Sequence, residues 1–223
     1  MRRIFPVLLA LLAAPLPAQP GPGVPPPLNG HVEGRVYISP VGTFRMAVPV
    51  LPELGGSIQD TPNVVTFQDA FNMHASIGCF PLDATQRWEL ATRGLSDYLT
   101  YFFETFVFAD FQQAFPGSRI ESASFSPDLM HGAYTAFTLL PGGSMFGDRH
   151  AGLDRDESPP VAKRGNLVFV RDNFIYIIST ELAERLIERS TYRKTIAEED
   201  AILRQRLVDL TRKIEFTRPA VFP

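Results

Sequence analysis

The chain has 223 residues, 45% of them hydrophobic, a single cysteine and a formal net charge of −3. This length suits one domain with a sizeable core, and one cysteine excludes an internal disulfide framework. The near balance of 21 basic against 24 acidic residues argues against a nucleic-acid-binding or anionic-lipid-binding surface.

Residues 1–18 read as a secretory signal peptide. Arg2 and Arg3 precede the apolar run IFPVLLALLAA, and small and turn-forming residues surround Ala18, after which cleavage is expected. The run is shorter than the ~20 residues a membrane-crossing helix needs. Pro15 and Pro17 break any longer helix, so a retained amphiphilic anchor is the lesser alternative. No cysteine lies near the exit for lipid attachment. The expected location is periplasmic or extracellular, with no transmembrane span left after signal removal. Residues 19–30, containing QPGPGVPPPL, form an extended tether. A single domain is expected over residues 31–223.

Short strands are expected at residues 36–39 and 44–48, around the turn Pro40-Val41-Gly42, and again at 64–71 and 73–80. Asp83 and Gln86 have the spacing of a capping box. A long helix then carries Trp88, Ala91, Leu95, Tyr98, Leu99, Phe102 and Phe106 on one face and ends at Pro116-Gly117. Strands follow at 119–125 and 132–140. After a polar interval, 166–170 and 174–180 form a hairpin through Arg171-Asp172-Asn173. A short helix is expected at 182–187. Leu203, Leu207, Leu210 and Ile214 mark one face of a last helix, with Glu198, Glu199 and Asp200 at its start and Arg212 and Lys213 at its end. Strand pairs alternating with helices predict an α+β fold: a central antiparallel sheet with helices packed on one or both faces.

This layout resembles the PsbP-like α/β/α sandwich family. The likeness rests on the opening VYISPVGTFRMAVP and on the late hairpin RGNLVFVRDNFIYIIST followed by a terminal helix, and it spans roughly residues 35–216. It implies that sandwich fold and work of binding or assembly, and it brings no catalytic motif.

The residues themselves offer little chemistry. His31, His74, His131 and His150 stand too far apart for a helical two-histidine metal pair, and His74 reads as a satisfied histidine of the core or sheet face. The stretch Gly142-Gly143-Ser144-Met145-Phe146-Gly147 fails the serine-elbow pattern because Phe146 stands where glycine is required. Cys79 lies in an apolar run and reads as a small buried hydrophobe.

The interval 141–165 lacks periodicity, and unstructured loops of this length are uncommon in compact domains. It offers Asp148, His150, Asp154, Asp156 and Glu157 as weak metal-ligand candidates, offset by Arg149, Arg155, Lys163 and Arg164, and it matches no calcium-loop spacing. Arg185, Arg189 and Arg193 would line one helical face, with Glu181 and Glu188 near enough to pair, as a solvated surface. No cofactor is implied.

The reading is an exported, non-enzymatic binding or assembly domain whose partner is an unidentified protein or small molecule. One alternative is a metal-assisted hydrolase using the 141–165 loop, and another is an envelope stress or maintenance accessory protein. A deep pocket joining two or more of His74, His131, Asp148 and His150 would favour the enzyme. An exposed apolar patch would favour binding.

Overall fold

A computed structural model describes residues 27–146, 160–188 and 191–217. The fold is α+β with two antiparallel sheets. The larger has seven strands in the order β4-β5-β6-β10-β9-β8-β7, and the smaller has four in the order β1-β2-β3-β11. In the larger sheet β4 is Ser57–Asp60, β5 Val64–Gln68, β6 His74–Pro81, β7 Arg119–Ser126, β8 Ala133–Pro141, β9 Val161–Arg171 and β10 Phe174–Glu181. The smaller sheet contains β1 His31–Glu33, β2 Val36–Ile38, β3 Phe44–Ala47 and β11 Ile214–Phe216.

Two cores result, one on each face of the large sheet. Alternation along the strands divides the side chains. Ala75, Ile77 and Cys79 of β6 face one core, while the other receives Ile175 and Ile177 of β10. The first core is closed by the small sheet, through Tyr37, Phe44 and Met46, and by helix α5 (Ile196–Arg212), through Leu203, Leu207 and Leu210. The second is closed by the helices between β6 and β7. Helices therefore cover both faces. No helix among the described residues is long and apolar enough to cross a membrane.

The expected long helix is three helices. The Asp83–Gln86 capping box forms and opens α1 (Ala84–Arg93), but Gly94 at φ 80° interrupts the ladder before α2 (Leu95–Phe102). Helix α1 runs off the sheet and buries none of its residues. Trp88, placed on the core stripe by periodicity, is instead 63% exposed, and Ala91 is exposed too. Past the break, Tyr98, Leu99 and Phe102 enter the core as expected. A π-helical stretch, Phe103–Phe108, leads into α3 (Ala109–Ala114). Its wider turn shifts the phase, so that Phe103, Val107 and Phe111 all reach the sheet.

Three further expectations change. Ile214 does not end the last helix but opens β11, paired with Met46 of β3. Helix α4 is confined to Glu184–Ile187. Residues 161–165, expected to be loop, are the start of β9, whose hairpin partner β10 follows an Asp172-Asn173 turn with both residues at positive φ, the geometry that suits the twist of a two-residue hairpin.

Candidate functional site

The beginning of β9 places Lys163 and Arg164 on opposite faces of the large sheet, both fully buried. Lys163 Nζ lies 2.6 Å from Glu121 Oε2, 2.6 Å from Asp200 Oδ1 and 2.9 Å from Glu199 Oε2. Burial works against the ammonium, but the bonds to Asp200, Glu121 and Glu199 outweigh it and hold Lys163 above its ordinary range. A β-bulge between Ile120 and Ser122 falls at Glu121, a device that re-aims a side chain. Arg185 donates to Glu199 at 3.1 Å, so it belongs to this cluster and not to a solvated stripe. Arg189 lies outside the described residues, and Arg193 is exposed.

On the other face Arg164 lies 3.8 Å from Glu181 Oε2, donates to the Gly143 carbonyl at 3.2 Å and stacks over the Phe111 ring at 5.5 Å. Burial pulls the guanidinium below its ordinary value, and Glu181 opposes that. Glu181 sits in β10 and accepts from Ser144 Oγ at 2.5 Å and the Met145 N–H at 2.9 Å. It is thus not a partner for a surface arginine stripe. His74 is buried nearby. Burial first, then the Arg164 charge, pushes its pKa down to about 3. Its Nδ1 has no partner among the described residues, so it is a core histidine but not a fully satisfied one.

These arrangements are internal closures. His131 closes a turn before β8 at φ 63°, whereas His74 lies near the far end of that strand, since Thr138 and not Ala133 is opposite Arg164. The two histidines therefore do not meet. Asp148, His150, Asp154, Asp156 and Glu157 lie outside the described residues. Cys79 is buried as expected, its Sγ 3.3 Å from Thr43 Oγ1. Among the described residues no group of three or more His, Cys, Asp or Glu could hold a metal ion.

A concave surface lies elsewhere, between the outer strands of the two sheets. It is an apolar groove of about 310 Å³ lined by Val32, Arg35, Val48, Val50, Pro52 and Ile58 among others. Three local features build it. Strands β1 and β2 join through Gly34-Arg35, with Gly34 at φ 61° in the first central position, where a primed turn needs glycine. The segment between β3 and β4 turns through Pro52–Leu54 and folds back, the Gly56 N–H donating to Leu51 O at 2.9 Å. A Cβ on Gly56 would stand 2.6 Å from that same oxygen, so only glycine fits.

The third feature is Asp60 at the end of β4. Its carboxylate accepts from the Asn29 N–H at 2.8 Å, the Gly30 N–H at 2.7 Å and Tyr37 Oη at 2.8 Å. Burial opposes ionisation of Asp60, but the bonds from Gly30, Asn29 and Tyr37 together hold its carboxyl below the usual range. This clasp ties the chain just before β1 to the end of β4.

Around the groove the chain exposes large apolar side chains. Val32 (38% exposed) lines it, Leu51 (36%) and Leu54 (39%) flank its lining residues Pro52 and Glu53 in the chain, and Phe71 (54%) follows Ala70, whose N–H donates to Leu54 O at 3.0 Å. Large apolar residues are normally scattered singly on a surface, and a contiguous group beside a concavity marks an interaction face. Sequence reasoning missed this group. Its only legible signal was the run VPVLPEL at residues 48–54, apolar yet broken by prolines.

No protein-family model and no curated protein matches the chain. Among solved structures it is similar to the cyanobacterial PsbP protein CyanoP from Synechocystis sp. PCC 6803, at 13% identity and a TM-score of 0.47, covering 92% of this chain and all of that one. It is also similar to the Saccharomyces cerevisiae Ran-binding protein Mog1p, at 8% identity and a TM-score of 0.45, covering 85% of this chain and 96% of that one.

Proposed function

We propose that this chain is an exported, non-enzymatic binding domain that takes a protein partner at the groove between β1 and β4. The observation that carries the reading is the set of exposed apolar side chains, Val32, Leu51, Leu54 and Phe71, on the segments that build a groove with valine and isoleucine walls or bond to them. Water contact with that surface is unfavourable by roughly 25 cal/mol per Å², which a partner's apolar side chains would relieve. The strongest charged groups, Lys163, Arg164, Glu181 and Glu199, are occupied in internal ion clusters. Export rests on the leader-like residues 1–18.

The test places a photo-crosslinking amino acid at Leu54 or, as a control of matched chemistry, at Ile187, which is apolar and 51% exposed on α4. Each protein is irradiated with the envelope fraction of the producing cells. A discrete adduct from position 54 that is absent from position 187 is expected. Equal adducts from both positions, or none from position 54, would overturn the reading.

A further inference from the structure

The strands that wall the groove leave little backbone for a further strand to pair with. The Gly56 N–H donates to Leu51 O at 2.9 Å, and the Asp60 carbonyl accepts from Asn29 Nδ2 at 3.2 Å. What the groove offers an occupant is side-chain surface, from Val32 of β1 and Ile58 of β4 together with Val48, Val50 and Pro52. An occupant that needs no ladder suits such a surface. A polyproline helix is one, because it has no internal hydrogen bonds and loses little conformational entropy on docking.

The chain carries such a segment next to the groove. Residues 19–28 read QPGPGVPPPL, with five prolines and no charged side chain. Cleavage at the expected place, after Ala18, leaves this segment on the exported protein. Residues 19–26 lie outside the described residues, but the point from which they extend is fixed. Asp60 holds the Asn29 and Gly30 amides. A Cβ on Gly30 would stand 2.4 Å from Ile38 O and 2.7 Å from Tyr37 Oη, so only glycine lets the chain pass there. Val32 comes two residues after Gly30 and Ile58 two residues before Asp60, so the segment departs beside both walls. The backbone bends at Asn29 and Gly30, and Leu28 is half-buried.

We infer that the groove has a cover built into the chain: residues 24–28 fold back from the Asp60 clasp and lie along it until a partner displaces them. This rests on the reading of the groove as the binding face and adds its regulation. As a polyproline helix, residues 24–28 span about 12–15 Å. The walls run from Val32 to Arg35 and from Gly56 to Ile58, about 7–10 Å of strand, so the segment is long enough to cover them. Val24 and the three prolines after it lay apolar surface against Val32, Val50 and Ile58. A short tether holds its segment at an effective concentration in the millimolar range. A weak intrinsic affinity therefore keeps the groove covered, and a partner binds only by outcompeting the segment.

The test compares the full chain with a version in which residues 20–27 are replaced by glycine and serine at the same length. The replacement lies before the clasp, so the folded domain is left intact. Hydrogen exchange of the two free proteins is expected to be at least threefold faster at the amides of residues 50–58 in the replaced version. The adducts formed from position 54 with the envelope fraction are expected to become at least threefold more abundant. Equal exchange in the two proteins overturns the cover, and so does an adduct yield that stays the same or falls. No adduct from position 54 in either version overturns the groove as binding face instead, and the exchange comparison alone then decides whether the segment covers it.

Discussion

The two outer strands of the large sheet, β7 with eight residues and β4 with four, meet opposite fates. At β7 the backbone is bulged, Glu121 is turned toward a buried lysine, and Asp200 and Arg204 of α5 bond to Ser122 and Ser124. At β4 the strand is short, its one charge is held in the Asp60 clasp, and Ile58 lines an apolar groove. In this chain the ionic groups do the work of closure, while the apolar surface left outside is the face proposed for recognition. The most chemically conspicuous cluster in the molecule is thus a structural lock, and its least charged edge is the functional candidate.

The largest expected effect breaks the closed side. Lys163→Ala leaves Glu121, Glu199 and Asp200 facing one another without the ammonium, and removing one partner of a buried ion cluster costs about 3–5 kcal/mol. Urea unfolding monitored by circular dichroism measures it. A loss below about 1 kcal/mol would mean that the cluster is solvated and that β7 is not locked. The same substitution should leave the adducts from position 54 unchanged wherever the protein is still folded.

His74 gives the next effect. Its folded pKa of about 3 lies below the ordinary value near 6.5, so below pH ~6.5 the unfolded chain takes up a proton that the folded chain refuses. Its contribution is fully present above that pH and declines as pH falls toward 3, by about 2–3 kcal/mol at pH 4.5. Unfolding free energies of the wild type and His74→Leu across this window check it. A slope that is the same in both proteins would show that His74 is protonated in the fold.

Asp60→Asn sharpens the open side. It weakens charge-assisted bonds to Asn29, Gly30 and Tyr37 and should cost about 1–2 kcal/mol at neutral pH. The folded carboxyl titrates below its ordinary value, so the wild-type advantage is present above pH ~4 and lost as pH falls through the folded pKa. The two proteins should therefore converge in acid. The smallest stability effect is expected at the rim, where Leu54→Ser should shift unfolding by less than ~0.5 kcal/mol while abolishing binding. A large loss of stability there would make Leu54 a packing residue.

Much of the fold was legible because its signals are local. The Asp83–Gln86 box, the Asp172-Asn173 hairpin and the leucine face of α5 each depend on neighbours within a few residues. The misreadings share one cause, which is long-range context. Trp88 fits the helical period, but Gly94 redirects the helix on which it sits. Lys163 and Arg164 read as loop charges because adjacent charged residues disguise a strand whose two faces are both buried. Their partners are 17 to 42 residues away, from Glu181 back to Glu121. The groove was illegible for the same reason. It exists only where Val32, Val50 and Ile58, from separate strands and a loop, come together around the Asp60 clasp.

Hydrogen exchange around the groove and at β7 tests the central claim most directly. Addition of the protein captured by crosslinking from position 54 should slow the amides of residues 50–58 by about tenfold and leave β7 unchanged. Slowing at β7, or no change around the groove while that protein is bound, would contradict the account.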